Sequence, residues 1–90
     1  MRGKTASGFS FNIDEDARDD MELLEVISAI DKGHNELVPD ALVMLLGEKQ
    51  KAKLYEFCRG KSGRVSATKV FQTLKEIFQS IQKGNSDTKN

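Results

Sequence analysis

The sequence predicts an all-α protein, a small bundle of about four helices with a short extended segment before them. Apolar residues recur at helical spacing through most of the chain, and Gly or Pro stands where that spacing is interrupted. A chain of 90 residues forms one domain with a thin core, since it buries only about 60 to 65 % of its unfolded surface. We expect a single helical domain over residues 9–83, with flexible polar segments at 1–8 and 84–90.

The first elements are a short strand and a wide apolar helix. Phe9, Phe11 and Ile13 alternate with polar residues, a period of two that fits a strand with one apolar face. A helix is expected from about Asp16 to Asp31, with acidic residues in its first turn, where the helix dipole favours them. Its apolar residues cover about 220° of the circumference, and they are Met21, Leu23, Leu24, Val26, Ile27 and Ile30. A face this wide has to be covered on more than one side.

Two further helices are expected in the middle of the chain. Gly33 suits the left-handed position after the first helix, and Pro39 suits the first turn of a short second helix. That helix carries the apolar run 41–46, which has no period, so a strand stays an alternative there. Gly47 is expected to separate it from a third helix over about residues 48–59.

The closing helix has the clearest signals in the sequence. Ser66 is a favoured N-cap residue, and Gly84 supplies a stop. The apolar residues between them fall within an arc of about 120°, and they are Val70, Phe71, Leu74, Ile77, Phe78 and Ile81. A narrow stripe implies one partner surface, which we take to be the domain's own core. Partner binding is therefore expected on the first helix and not on this one.

The charges cancel in total but are segregated along the chain. The 14 basic and 14 acidic residues give zero net charge, which argues against a nucleic-acid or membrane-surface protein. Residues 13–25 carry a net charge of −6 and residues 48–69 a net charge of +5. Two interpretations stay open. The segments attract each other within the fold, which the pattern favours, or they help copies of the chain to associate head to tail.

No pattern in the sequence points to catalysis, a metal ion or a cofactor. His34 is the only histidine, and Cys58 lies on an apolar helix face without a histidine at a fixed spacing. The loop 58–66 lacks the carboxylates of a calcium loop and the first glycine of a phosphate-binding loop. With a single cysteine, no leader-like segment and no apolar run of about 18 residues, the chain is predicted to be a cytoplasmic, non-enzymatic protein without a membrane partner.

Three segments carry a family resemblance: DEDARDDMELLE (14–25), LVMLLGEKQKAKLYEFCR (42–59) and SGRVSATKVFQTLKEIF (62–78). In order and chemistry they resemble the small tail assembly chaperones of long-tailed bacteriophages of Gram-positive hosts, over about residues 9–81. The resemblance implies a protein that binds the tape measure protein, keeps it soluble and helps tail tube protein to polymerise around it. It also implies a longer form, which family members often make by ribosomal frameshifting.

A chaperone for apolar helices needs accessible apolar surface, and the first two helices carry more of it than a small domain can hide. We expect partner binding at Leu23, Val26, Ile30, Val43 and Met44. Burial in the core or in a homo-oligomer interface is the alternative for each of them. Two other functions stay open. One is a structural subunit of the virion, and the other is a DNA-binding regulator that contacts phosphates through Lys49, Lys53, Arg59, Lys61 and Arg64.

Overall fold

The computed structural model describes the backbone of residues 1–87 and the side chains of residues 1–81. Its elements are, in order, β1 (Arg2–Lys4), β2 (Ser10–Asn12), a 3-10 turn (Glu15–Asp19), α1 (Met21–Asp31), a second 3-10 turn (Asn35–Leu37), α2 (Val38–Phe57) and α3 (Ala67–Asp87). The mainly helical class is confirmed. The four-helix bundle is wrong, because the described chain folds into three α-helices and a two-stranded sheet.

The N-terminal residues form an antiparallel hairpin. Phe9, Phe11 and Ile13 are buried, which confirms the apolar face expected of the strand. Its partner β1 lies in the segment that was expected to be flexible and outside the domain; an isolated strand is unstable, and Arg2–Lys4 supplies the pairing. Gly3 stands opposite Phe11, where a Cβ would lie 2.5 Å from Cζ of the ring. Any larger residue there would displace a core side chain.

The first helix begins later than expected. The acidic residues before it form the first 3-10 turn, and α1 starts at Met21. Asp20 caps it, since its side chain accepts a hydrogen bond from the backbone N–H of Leu23 at 3.1 Å. Gly33 follows the helix with a φ of 111°, the left-handed conformation expected of it.

The expected break at Gly47 is a kink inside one helical element. Gly47 has φ 82° and ψ 167°, a conformation that is almost restricted to glycine. Two helical segments therefore meet at Gly47, as expected, but no loop separates them and together they form the single element α2. Pro39 lies in its first turn, as expected, and the run 41–46 is helical and not a strand.

The kink brings two apolar stripes of α2 onto one core. In a straight helix, Leu54 and Cys58 would stand about 170° around the axis from the buried stripe of the first half. Both are nevertheless fully buried, in the same cluster as Leu42 and Leu45. The non-helical dihedrals of Gly47 therefore change the phase of the second half so that it faces the core.

The other elements pack around α2, which contacts α1, α3, β2 and the second 3-10 turn. Gln50 ties the hairpin to it: its side-chain oxygen accepts from the N–H of Asn12 at 2.7 Å, and its Nε2 donates to the Asn12 carbonyl at 2.6 Å. The buried apolar residues come from every part of the fold and are Phe9, Phe11, Ile13, Leu23, Val38, Ala41, Leu42, Leu45, Leu46, Leu54, Cys58, Val70, Leu74, Ile77 and Ile81.

The closing helix α3 begins as expected. The Ser66 hydroxyl accepts a hydrogen bond from the N–H of Lys69 at 3.2 Å, which confirms the N-cap. The helix does not stop at Gly84 but continues to Asp87, so most of the expected C-terminal tail is helical backbone. Residues 88–90 of that tail lie outside the described residues.

Replacing Ile77 by Ala should lower the free energy of unfolding by about 2 to 5 kcal/mol. Its side chain is fully buried, so the substitution removes apolar contacts and leaves a cavity. Urea denaturation followed by circular dichroism measures the change. Gln79→Ala, at an exposed position of the same helix, serves as the control and should shift stability by less than about 0.5 kcal/mol. Equal effects of the two substitutions would contradict the assigned core.

Replacing Gly47 by Ala should lower the free energy of unfolding by about 1 to 3 kcal/mol, because an L-residue is strained at these dihedrals. The same urea denaturation measures the change. The added methyl group itself meets nothing within 4 Å, so the effect isolates the backbone term. Gly60→Ala is the matched control, since the φ of Gly60 is not positive and its nearest atom would be the Arg64 carbonyl oxygen at 3.8 Å. A neutral or stabilising Gly47→Ala would contradict the dihedrals assigned to Gly47.

Candidate functional site

Among the described residues, no cluster of His, Cys, Asp and Glu is arranged to hold a metal ion. Cys58 is buried, and this burial raises the pKa of its thiol, partly offset by a hydrogen bond with Thr73. The nucleophilic thiolate is correspondingly disfavoured near neutral pH. His34 is exposed, with its Nδ1 3.4 Å from a carboxylate oxygen of Glu36.

None of the helices in the described part of the chain is long and apolar enough to cross a membrane. What the surface does offer is apolar side chains in contact with solvent. Those that are large and exposed are Met21, Leu24, Met44, Phe57 and Phe71. Exposed apolar side chains that gather in a concave surface are typical of protein-binding sites.

A groove of about 470 Å³ lies between α1 and α3, which both pack on α2. Its lining is partly apolar, with Ile27 and Ile30 on α1 and Phe71 and Phe78 on α3. The buried residues Val38 and Leu74 also line it, and its polar lining residues are Asp31, Asn35, Lys75 and Gln79. We call this surface the α1–α3 groove.

The apolar strip extends beyond this groove toward the start of α1. A second depression shares Phe78 and is lined by Leu24 and Met21, which are 43 % and 66 % exposed. From Met21 to Ile30, α1 rises by about 14 Å at 1.5 Å per residue. The strip is therefore long enough for two to three turns of a bound helix, at about 5.4 Å per turn.

The five residues expected to bind a partner lie in different surroundings. Ile30 lines the α1–α3 groove. Leu23 is only 1 % exposed and belongs to the core, so the alternative given for it is the correct one. Val26 and Val43 are half-buried and do not line the groove. Met44 is 38 % exposed on a separate patch beside the 3-10 turn that precedes α1.

Sequence reasoning missed the contribution of α3. It assigned the whole stripe to the core, but Phe71 is 37 % exposed and Phe78 is half-buried. A signal for this was present. Around the helix axis these two residues stand about 100° and 80° from Val70, at one edge of the arc. The four buried residues of the stripe, Val70, Leu74, Ile77 and Ile81, span only about 60°.

Arg59, one of the residues expected of a DNA-binding regulator, is engaged within the chain. Its Nε and Nη2 donate to Glu56 Oε2 at 3.0 and 2.6 Å, and its Nη1 donates to the Gly63 carbonyl at 2.6 Å. The same hydrogen bond with Arg59 lowers the pKa of the Glu56 carboxyl. Arg59 thus organises the loop between α2 and α3.

Comparison of the chain with protein-family models, with curated proteins and with solved structures found no match. A function for the chain therefore has to be inferred from its own residues. Those residues form no reactive cluster in the described part of the chain, and they place an apolar groove between α1 and α3.

Proposed function

We propose that this chain is a non-enzymatic tail assembly chaperone of a long-tailed phage or prophage. In this proposal it acts in the bacterial cytoplasm and holds an apolar helical segment of the tape measure protein in the α1–α3 groove. The observation that supports the proposal is the groove itself, with half-buried Ile27 and Ile30 on one wall and exposed Phe71 on the other. The choice of partner comes from the family resemblance of residues 14–25, 42–59 and 62–78.

The groove has the features needed to bind a helix. An amphipathic helix docks by placing residues at i, i+3, i+4 and i+7 against an apolar surface. Phe71 and Phe78 are themselves seven residues apart, so they present two rings along one side of the groove. Each apolar side chain of the partner that becomes fully buried contributes about 1.5 to 3 kcal/mol. Two or three such residues contribute about 3 to 9 kcal/mol, and the cost of association offsets much of this gain, so the binding is reversible.

Reversible binding suits the proposed role. Tape measure helices have to be protected from aggregation first and then given up to the tail tube protein that polymerises around them. The polar residues lining the groove, Asp31, Asn35, Lys75 and Gln79, stay hydrated and limit its apolar width. The chain is thereby suited to bind one helix at a time and not a broad apolar sheet.

Co-expression with the tape measure protein of the same phage or prophage tests the proposal. The wild-type chain should increase the soluble fraction of the tape measure protein and co-purify with it. Phe71→Ser should weaken this binding about 10- to 100-fold, since it removes one exposed ring from the wall of the groove. The matched control is Phe57→Ser, which removes a ring of similar exposure, 42 %, outside the groove and should retain binding.

Four results would contradict the proposal. The tape measure protein could remain equally soluble without the chain, or Phe57→Ser could weaken binding as much as Phe71→Ser does. Detection of the chain in purified virions would favour the structural subunit instead. Duplex binding that weakens steeply with salt would favour the DNA-binding regulator.

Gene order is an independent check, because the proposal expects a very long, helix-rich reading frame immediately downstream.

A further inference from the structure

The outer edge of β1 is an open edge of the N-terminal hairpin. The N–H of Thr5 donates to the carbonyl of Phe9, its partner across the hairpin, at 2.9 Å. Pairs that exchange backbone hydrogen bonds alternate with pairs that do not, so Gly3 also faces β2, whereas the backbone groups of Arg2 and Lys4 face away from it. No hydrogen bond from another described residue reaches the N–H and C=O groups of these two residues. We call these four groups the β1 edge.

The opposite edge of the hairpin is closed. Along β2, the same alternation turns the backbone groups of Ser10 and Asn12 away from β1. The side chain of Gln50 occupies both the N–H and the carbonyl of Asn12, and β2 lies against α2. A further strand can therefore be added beside β1 and not beside β2.

The β1 edge carries two positive charges without a partner in the hairpin. Arg2 and Lys4 are exposed and project from the same face of the strand, about 7 Å apart. The residues opposite them in β2, Asn12 and Ser10, are uncharged. None of the ion pairs between described residues includes either cation. Strand geometry thus gathers both charges beside the four outward-facing backbone groups.

We propose that the β1 edge binds an extended acidic segment of another protein, which adds to the hairpin as a third, antiparallel strand. In strand addition, backbone hydrogen bonds give affinity and alternate side chains give specificity. The partner residues opposite Arg2 and Lys4 exchange hydrogen bonds with them, and their side chains project from the same face. Opposite charges directly across a sheet stabilise the pairing. The partner segment therefore carries Asp or Glu at two positions separated by one residue.

Charge argues against a second copy of the chain as the occupant. Two β1 edges that paired with each other would bring Arg2 and Lys4 against the same cations, and like charges directly opposite destabilise a strand pair. Cations on a short edge strand are a recognised protection against edge-to-edge association. The chain's own acidic residues Glu15–Asp19 form a 3-10 turn, and Asp20 caps α1, so they do not supply an extended strand. An acidic strand of a different protein fits the edge.

The hairpin and the α1–α3 groove lie on opposite flanks of α3. Ser7, in the hairpin turn, donates to Oε1 of Glu76 at 3.0 Å. Around the axis of α3, Glu76 stands about 160° from Phe78, which lines the groove. An added strand therefore leaves the groove accessible. The inference does not depend on the proposed function and is tested without any tape measure protein.

An NMR titration of the isotope-labelled chain with the blocked peptide Thr-Glu-Thr-Glu-Thr tests the inference. The amide signals of Arg2 and Lys4 should shift most, and that of Ser10, on the closed edge, should shift little. The same peptide with Lys in place of Glu should not bind. Methylating both Glu nitrogens keeps the charge but removes the donors that face the β1 edge, so binding should weaken about tenfold or more. Methylating two Thr nitrogens, which face away, should leave binding unchanged.

Two substitutions of Lys4 separate the backbone contribution from that of charge. Lys4→Ala and Lys4→Pro remove the same cation, but only Lys4→Pro removes the outward-facing N–H, which takes no part in the pairing with β2. Lys4→Ala should weaken peptide binding about fivefold at most, as expected for an exposed ion pair. Lys4→Pro should weaken it about tenfold or more. The NMR spectrum of each variant checks that the hairpin is intact.

Four results would overturn the inference. They are equal binding by the two Lys4 variants with the hairpin intact, equal binding of the two methylated peptides, absence of shifts at Arg2 and Lys4 with millimolar peptide, and shifts there that follow the concentration of the pure chain alone. The last result would make a second copy the occupant. The methylated peptides are tested on the wild-type chain, so the inference can still fail if Lys4→Pro disrupts the hairpin.

Discussion

The change of direction at Gly47 is the constraint on which the rest of this structure depends. α2 is the element that α1, α3 and β2 contact. If α2 were straight, the apolar stripes of its two halves would lie on opposite sides of the helix. Only because Gly47 adopts φ 82° and ψ 167° do Leu42 and Leu54 face one cluster. The same turn places Gln50 where its amide hydrogen bonds with the backbone of Asn12, and so holds the hairpin over the core.

Sequence patterns predicted the elements that depend on residues close together in the chain. The N-cap of α3 at Ser66 and the apolar face of β2 depend on residues close in sequence, and both were predicted correctly. The partner strand β1 was missed because Arg2–Lys4 has no apolar period of its own. Its position follows from backbone hydrogen bonds to β2, with Gly3 leaving room for the ring of Phe11. The position of the break at Gly47 was predicted correctly, but the sequence does not distinguish a kink from a loop, so the continuity of α2 was not foreseen.

The candidate site shows what apolar periodicity in a sequence cannot predict. A helical stripe identifies which residues avoid water, but it does not say which neighbour covers them. Leu23 was expected to bind a partner and is covered by the domain itself, whereas Phe71 was assigned to the core and lies in contact with solvent. The difference arises because α1 and α3 both pack on α2 and leave a gap between them. That gap is a tertiary property, and only the position of Phe71 at the edge of its stripe hinted at it.

The surface of this chain combines exposed apolar side chains with a net charge of zero. A protein of zero net charge has little long-range repulsion to keep its copies apart, and exposed apolar side chains then favour association. Met21, Met44 and Phe71 are exposed in spite of this. A thin core would gain stability by burying them, so their exposure sacrifices stability within the single chain. In the proposed function, the bound tape measure helix covers Phe71 and so buries part of this exposed apolar surface.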